Sequence, residues 1–203
     1  NGNVTIRNST FSGNTAVGGT GATAPNGLGL GAAVFARNGS TKLYNSTLSG
    51  NTTTVANAGA IFVLGDGATA DFGIRNNIVA NNGTGECVLS HTNSGSTSTF
   101  ASGNLIMSNG VSSGSMLGCP GVVSTSNPNL GPLQINAPGN TPTFAILNTS
   151  AAFNTADNAA CLATDQRGIG RVGTCDIGAF ESRGFGLAKG TGDGQSTPWG
   201  MAF

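Results

Sequence analysis

The sequence predicts an all-β protein, specifically a right-handed parallel β-helix, a solenoid in which short strands of successive repeats stack on one another. One observation is a strand motif that returns about every 30 residues, within the range of solenoid repeats. A second is that Gly, Asn, Ser and Thr supply the polarity, since charged residues make up only 8% of the 203 residues. Ordinary soluble domains carry roughly a quarter. Short apolar runs between Gly and Asn clusters are typical of strands and turns.

The repeat is visible when the chain is aligned with itself. The first element occupies residues 4–15, 41–52, 72–83 and, more weakly, 102–109, and these copies define repeats 1 to 4. A second element at residues 31–35 returns at 59–63. The offsets are 45 − 8 = 37 and 76 − 45 = 31 for the first element and 59 − 31 = 28 for the second. Variable loops, such as the Gly-rich insert 17–30, explain the irregular period.

The alignment predicts which side chains form the core and which form the corners. The apolar residues expected to point inwards are Ile6, Phe11, Leu43, Leu48, Ile74 and Val79. One Asn recurs at the corner between two strands, at Asn8, Asn45 and Asn76. Asn tolerates left-handed backbone and can bond neighbouring amides, so we expect a stacked Asn ladder at this corner.

Charge and hydropathy exclude two classes of partner. Eight basic residues balance eight acidic ones, and the basic residues are scattered singly from Arg7 to Lys189. A nucleic-acid partner would require a basic stripe, so none is expected. The longest apolar stretches, such as residues 58–64, are much shorter than the roughly 20 residues that cross a bilayer as a helix. We therefore expect no membrane span.

The four cysteines predict disulfides. They form no CxxC pair, and the chain has a single His, which disfavours a zinc site. Three connectivities are possible, and the most economical joins Cys87 to Cys119 and Cys161 to Cys175. Disulfides imply an oxidising compartment, so we expect a secreted or cell-surface protein. Because the chain opens without an initiator Met or signal peptide, we expect it to be a processed or partial chain.

Two stretches of the sequence resemble a known family. The segment 8–14, NSTFSGN, is a rung motif, and the ending combines DQRG at 165–168, Arg171 and CDIGAFE at 175–181. This combination resembles the choice-of-anchor Q family over nearly the whole chain. The resemblance implies a secreted bacterial right-handed parallel β-helix, similar in style to polymorphic outer-membrane proteins and other adhesins. Phe144 departs from the family, which usually has His at that place.

A dense group of charges near the end of the chain has two interpretations. It consists of Asp165, Arg167, Arg171, Asp176 and Glu181, called here the C-terminal charged cluster. An enzyme could use two of the carboxylates as an acid/base pair. We favour a structural cap, in which Asp165 and Asp176 accept hydrogen bonds from Arg167 and Arg171 and fix the last repeat. A bridge between Cys161 and Cys175 would support that cap.

No catalytic residue, cofactor site or metal ligand is expected. Polysaccharide lyases and hydrolases share the β-helix fold, so the fold alone does not exclude them. Their sites need clustered Asp or basic residues on one face. Asp66 and Asp71 are more simply explained by turn formation, and His91 by a solvated loop.

The predicted organisation is β-helix repeats at 1–126, a capping region at 127–181 and an extended tail at 182–203. The function predicted first is an extracellular filament, in which subunits join head to tail. The expected contacts between subunits are Val4 and Ile6 at the open first repeat and Trp199, Met201 and Phe203 in the tail. The alternative is a monomeric adhesin that binds glycans or cell surfaces, and a polysaccharide lyase or hydrolase is a third possibility.

Overall fold

The computed structural model describes residues 2–22, 26–109 and 112–183. This part of the chain is all-β, as predicted, with one short 3-10 helix at Asn158–Ala160. The strands are β1 (Asn3–Arg7), β2 (Thr10–Phe11), β3 (Thr15–Ala16), β4 (Val34–Arg37), β5 (Gly39–Tyr44), β6 (Thr47–Ser49), β7 (Thr52–Thr53), β8 (Ile61–Asp66), β9 (Thr69–Arg75), β10 (Ile78–Ala80), β11 (Cys87–Thr92), β12 (Ser96–Ser102), β13 (Asn104–Ile106), β14 (Ser112–Ser113), β15 (Met116–Gly118), β16 (Val122–Ser124), β17 (Leu133–Ile135) and β18 (Pro142–Phe144).

Three sheets collect equivalent strands from successive repeats. Sheet 1 has the order β1-β5-β9-β12 and sheet 2 the order β16-β13-β10-β6-β2, and both are parallel throughout. Sheet 3 pairs β4, β8 and β11 in parallel and is extended by the antiparallel strands β15 and β14. Strands β3 and β7 form a small parallel pair, and β17 and β18 form an antiparallel pair in the C-terminal region.

The strand register confirms the offsets predicted for the first element. Ile6 pairs with Leu43 and Leu43 with Ile74, which reproduces the offsets of 37 and 31. The second element differs from the prediction after its first residues. The amides of Ala33 and Val34 both donate to the Ala60 carbonyl, so the register slips by one residue there. Beyond the slip the offset is 61 − 34 = 27 rather than 28.

The inner faces of the three sheets meet in one core. Leu43 and Ile74 from sheet 1, Leu48 and Val79 from sheet 2 and Ile61 from sheet 3 belong to a single buried cluster. Ile6 and Phe11 pack against it and are partly buried. All six predicted core residues therefore contribute to this core. Burying each large aliphatic side chain contributes about 1.5–3 kcal/mol.

The corner Asn residues adopt the predicted backbone but do not form the predicted ladder. Asn8, Asn45 and Asn76 have φ of 45°, 45° and 56°, in the left-handed region. Their side chains do not bond one another. Asn8 donates to the Thr164 carbonyl and Asn76 exchanges two hydrogen bonds with the Asp157 backbone, whereas the buried Asn45 amide finds no partner among the described residues.

One ladder of side chains runs through the residue that follows each corner. The backbone amide of Ser9 donates to Ser46 Oγ, that of Ser46 to Asn77 Oδ1, and that of Asn77 to Asn104 Oδ1, at 2.9–3.2 Å. Each repeat thus supplies an acceptor to the backbone of the repeat before it. Because Ser46, Asn77 and Asn104 are buried, the ladder satisfies donors that would otherwise be costly to remove from water.

A second ladder runs five residues further along each repeat. Asn14 donates from its backbone and its amide to Asn51 Oδ1, and Asn51 donates in the same way to Asn82 Oδ1. At the next step a carboxylate takes the place of the Asn, since the backbone N–H of Asn82 donates to Glu86 Oε1 at 2.9 Å. The other oxygen of Glu86 accepts from the Ser108 amide at 3.0 Å. Glu86 is fully buried, and burial raises the pKa of its carboxyl.

The C-terminal region, residues 127–183, lies against the outer face of sheet 2. Ile78 and Leu105 point outwards from this sheet and join Ile146, Ile177 and Phe180 in a second buried cluster. Both faces of sheet 2 are therefore buried, which gives β6, β10 and β13 their uninterrupted burial. The sequence motif did not predict this second layer.

The two disulfides have the predicted nearest-neighbour pairing. Cys87 in β11 is bonded to Cys119, just after β15, and Cys161 is bonded to Cys175. The first bridge ties the hairpin strand β15 to sheet 3, and the second closes a short loop within the C-terminal region. In the chain-entropy description a loop of this second size adds about 3 kcal/mol of stability.

Replacing Asn51 tests the second ladder. Asn51→Ala removes the acceptor of two Asn14 donors and the donors to Phe11 and Asn82. Each unsatisfied buried group costs about 1–3 kcal/mol, so we expect a large fall in the free energy of unfolding, measured by chemical denaturation. Asn45→Gly is the matched control. It removes a buried amide that makes no hydrogen bond and retains a left-handed residue, so it should change stability by less than about 1 kcal/mol. Equal losses in both variants would contradict the ladder.

The buried carboxyl of Glu86 predicts a pH dependence. Its pKa is higher in the folded than in the unfolded protein, so the folded state binds more protons. Stability should therefore fall as pH rises through the window between the ordinary and the raised pKa. Chemical denaturation across about pH 4 to about pH 8 measures this slope. The pKa of Asp176 is also raised, so this group contributes to the same slope. Subtracting the Glu86→Gln stability profile from that of the parent leaves the contribution of Glu86 alone. Parallel profiles would contradict the assignment.

Candidate functional site

The outer face of sheet 1 brings five side chains together. Side chains alternate between faces along each strand, so Ile6, Leu43 and Ile74 point into the core while their neighbours point outwards. The outward positions gather three cations and two aromatic rings, called here the cationic-aromatic patch: Arg7, Lys42, Tyr44, Arg75 and Phe100. Arg7 and Phe100 are exposed and the other three are half-buried.

The two aromatic rings hold the three cations. The Arg7 guanidinium lies 5.9 Å from the Tyr44 ring centroid. Lys42 Nζ lies 5.9 Å and the Arg75 guanidinium 5.2 Å from the Phe100 centroid. The rings of Tyr44 and Phe100 are themselves 6.5 Å apart. Cation–π contacts at this range are attractive, by about 0.5–1 kcal/mol at exposed sites. The patch is thus one connected group of side chains.

A glycine allows Phe100 to lie across the sheet. Gly73 is paired with Phe100 on one side and Lys42 on the other. A Cβ on Gly73 would sit only 2.0 Å from the Phe100 ring, so any larger residue would displace the ring. Because Gly73 on β9 has no side chain, the Phe100 ring on β12 extends across it to Lys42 on β5.

The three cations of the patch lack acidic partners. Across residues 2–22, 26–109 and 112–183, the ion pairs of the structure involve other arginines. The Nε atom of Arg75 is buried and finds no hydrogen-bond acceptor within the same ranges. Asp71 lies on the same sheet face two residues before Gly73 and is exposed, but it forms no ion pair with the patch. The patch therefore presents net positive charge to solvent.

The alignment of the repeats could have predicted this patch, although the overall composition does not indicate it. Arg7, Tyr44 and Arg75 occupy the same position in repeats 1, 2 and 3, and Lys42 lies two residues before Tyr44. The prediction that basic residues are scattered singly holds along the chain but is wrong in space for these three. Parallel pairing in register stacks equivalent positions about 4.8 Å apart, so residues 30 or more apart in sequence become neighbours.

Asp165 is the centre of the C-terminal charged cluster. Its carboxylate accepts from Arg167 Nε at 2.9 Å and Nη2 at 2.7 Å and from the backbone amides of Arg167, Ile169 and Glu181. The Arg167 guanidinium also lies 3.6 Å from the Phe180 ring centroid. The predicted fork between Asp165 and Arg167 is present, and both side chains are buried.

The predicted partner of Arg171 was wrong. Arg171 forms its ion pair with Glu181, at 3.2 Å, and donates to the backbone carbonyls of Asp176 and Gly178. The Asp176 carboxylate instead accepts from the backbone amides of Asn154 and Ser182. Backbone donors from two separate segments, at Asn154 and Ser182, converge on this carboxylate, a feature that residue types alone do not reveal.

The C-terminal region contacts the side of the repeats, which corrects the expectation that it pins the last one. Thr164 accepts from Asn8 in repeat 1, and the Ala179 amide donates to Thr47 Oγ1 in repeat 2. In repeat 3 the Gly178 amide donates to the carbonyl of Asn76. In repeat 4 Ser102 donates a hydrogen bond to the Asp157 carboxylate, and Leu105 packs against the region. The region therefore clamps four repeats laterally.

The carboxylates of the charged cluster are committed to structural hydrogen bonds. Asp165, Asp176 and Glu181 are at most 2% exposed, and each accepts several N–H donors. Burial raises the pKa of Asp176 and lowers that of Arg167. An acid/base pair needs a carboxyl that can reach a substrate, and this arrangement leaves none of the three open to solvent.

The other candidate residues, Asp66 and His91, lie near the ends of the paired strands β8 and β11, where Asp66 pairs with Thr92 and His91 with Gly65. Asp66 accepts a hydrogen bond from Asn93 and pairs with Arg37, and these contacts lower the pKa of its carboxyl. His91 is exposed at the end of β11. No group of three His, Cys, Asp or Glu residues in the described ranges is arranged to hold a metal ion.

The predicted contacts between subunits fall only partly within the structure. Val4 and Ile6 lie on β1, at the edge of sheet 1, where Val4 is half exposed and Ile6 is partly buried. Trp199, Met201 and Phe203 lie outside the described residues.

No protein-family model, curated protein or solved structure matches the chain. Membership of the choice-of-anchor Q family therefore stays a prediction from the motifs. Among the helices of the described residues, none has the length and apolar character needed to cross a membrane.

Replacing Asp165 tests the role of the charged cluster. Asp165→Asn leaves the buried Arg167 without its counter-charge, and removing one partner of a buried pair costs about 3–5 kcal/mol. We expect a loss of that size in the free energy of unfolding, together with faster proteolysis of the C-terminal region. Asp71→Asn, which alters an exposed carboxyl, should stay within about 0.5 kcal/mol of the parent. Unchanged stability of Asp165→Asn would refute the structural role.

Proposed function

We propose that this chain is a secreted right-handed parallel β-helix, of the choice-of-anchor Q type, that works as an adhesin-like binding surface rather than as an enzyme. The observation that carries the proposal is the cationic-aromatic patch on the open face of sheet 1. Its charges have no acidic partner in the described residues, so they are available to an external anion.

The strand pairing supports the β-helix. Sheets 1 and 2 collect one strand from each of the four repeats, sheet 3 collects three parallel strands before the antiparallel β15 and β14, and the three inner faces share a core. Parallel strands joined by crossover connections are right-handed in the great majority of proteins, which is the reason for proposing that hand. The two disulfides support an extracellular location because such bonds persist in oxidising compartments.

The distribution of charge supports a binding role over a catalytic one. The acidic side chains of the charged cluster are buried, whereas the patch is basic and faces solvent. The other two sheets offer less open surface. The outer face of sheet 2 is covered by the C-terminal region, and that of sheet 3 carries a third buried cluster around Phe62 and Val88. Sheet 1 is thus the broadest strand surface available to a partner.

Head-to-tail assembly into a filament remains the rival proposal. It relies on the edge strand β1 and on the tail, and the tail lies outside the described residues. An exposed strand edge can pair with another chain, as β1 would need to do. Electron microscopy of the purified protein separates the two proposals, since long fibres would favour assembly and dispersed particles a binding module.

Ion-exchange chromatography tests whether the patch binds anions. The formal net charge is zero at pH 7, so retention on a sulfonate resin near neutral pH requires a local basic surface. We expect retention that salt abolishes, because screening shortens to a few ångströms at high ionic strength. Lys42→Gln should elute at lower salt than the parent.

Arg37→Gln provides the matched control for Lys42→Gln. It removes the same formal charge from sheet 3, where Arg37 is paired with Asp66 outside the patch. Its elution should move less than that of Lys42→Gln. Failure of the parent to be retained, or equal shifts in the two variants, would overturn the proposed binding surface.

A further inference from the structure

We infer that the cationic-aromatic patch binds linear acidic polysaccharides built from uronic acids, with the sugar chain running across the strands of sheet 1. The inference rests on the proposed binding function and specifies its ligand. It follows from the spacing of the cations, the way they are held and the overall charge of the chain.

The spacing of the cations fits a repeating anion. Arg7 and Arg75 occupy the same position on β1 and β9, with β5 between them. Two strand spacings place their backbones about 10 Å apart, in the direction in which the repeats stack. This is close to the length of a disaccharide, so alternate carboxylates of an extended polyuronate meet successive cations. Lys42 lies on the strand between them, two residues before Tyr44, and adds a third cation beside this row.

The chemistry of the cations suits carboxylates. Two of the three are arginines, whose planar guanidinium groups can bind a carboxylate through two parallel hydrogen bonds. The Nε atom of Arg75 is buried, so an external carboxylate would meet this guanidinium through its two terminal nitrogens. A polymer with one carboxylate per sugar presents these acceptors in a row, whereas a neutral sugar does not.

The aromatic rings prepare the cations for binding. Phe100 contacts both Lys42 and Arg75, and Tyr44 contacts Arg7. Long basic side chains lose conformational entropy when a ligand orders them, and side chains that are already held lose less. Phe100 is also 36% exposed, which leaves part of an apolar ring to pack against the C–H groups of a sugar.

The charge of the whole chain favours a polysaccharide over a nucleic acid. Nucleic-acid-binding domains are usually strongly basic, because affinity grows with the number of phosphates neutralised. This chain has no formal net charge and three cations in the patch. Its two disulfides favour an oxidising compartment, where a nucleic acid is not the usual partner.

Isothermal titration calorimetry with the full chain tests the inference. The probes are polygalacturonate, neutral dextran, single-stranded oligo-dT and polyglutamate. The three polyanions are used at equal concentrations of charged groups. We expect polygalacturonate to bind with a salt-sensitive affinity and dextran not to bind. Arg75→Gln should weaken polygalacturonate about tenfold, the effect expected from losing a charged hydrogen-bonded pair. Phe100→Leu should weaken it by a smaller factor while every charge is kept.

Two matched variants distinguish binding at the patch from an effect of the net charge of the protein. Asp71→Asn removes the exposed carboxyl on the same face and should strengthen polygalacturonate binding. Arg37→Gln changes the charge elsewhere and should leave the affinity within about twofold. Equal binding of oligo-dT or polyglutamate, or no effect of Arg75→Gln, would overturn the inference. If polygalacturonate does not bind while the sulfonate resin still retains the protein, the polysaccharide assignment fails and the binding surface stands.

Discussion

Each repeat is bonded to the next by parallel backbone hydrogen bonds in register, and this constraint governs the positions of the core, the ladders and the surface patch. When Leu43 pairs with Ile74 on one sheet, Leu48 must pair with Val79 on the next, since the connecting corner has fixed length. Equivalent residues then form columns. An apolar column becomes core, an amide column satisfies buried donors, and a basic column becomes a concentrated charge.

The amide columns explain how a chain with so little charge can bury so many polar groups. Asn51, Asn77 and Asn104 are fully buried, and each side chain satisfies a backbone donor of another repeat. Glu86 shows the limit of this arrangement. A carboxylate continues the column at the cost of desolvation, and its raised pKa records that cost. The C-terminal region adds a lateral clamp in which every buried charge has hydrogen-bond partners.

The two groups of charged residues have opposite roles for one physical reason, which is access to water. The carboxylates of the C-terminal charged cluster are surrounded by donors and organise the backbone around them. The cations of the patch are held by ring faces, which attract them without neutralising their charge. A buried and neutralised cluster stabilises the fold, whereas an exposed and unneutralised one can attract a partner.

The local sequence was sufficient to predict the all-β class, the repeats, the inward-facing Ile6 and Leu43 columns and the left-handed corners, because these follow from short-range periodicity and from the conformational freedom of Asn. The nearest-neighbour pairing of the cysteines was the preferred one of three possible disulfide connectivities. Tertiary structure alone decided the one-residue slip at Val34, the position of the amide ladders and the path of the C-terminal region along the repeats. It also decided that Arg7, Tyr44 and Arg75 share one column, because their proximity depends on pairing between strands far apart in the chain and not on composition.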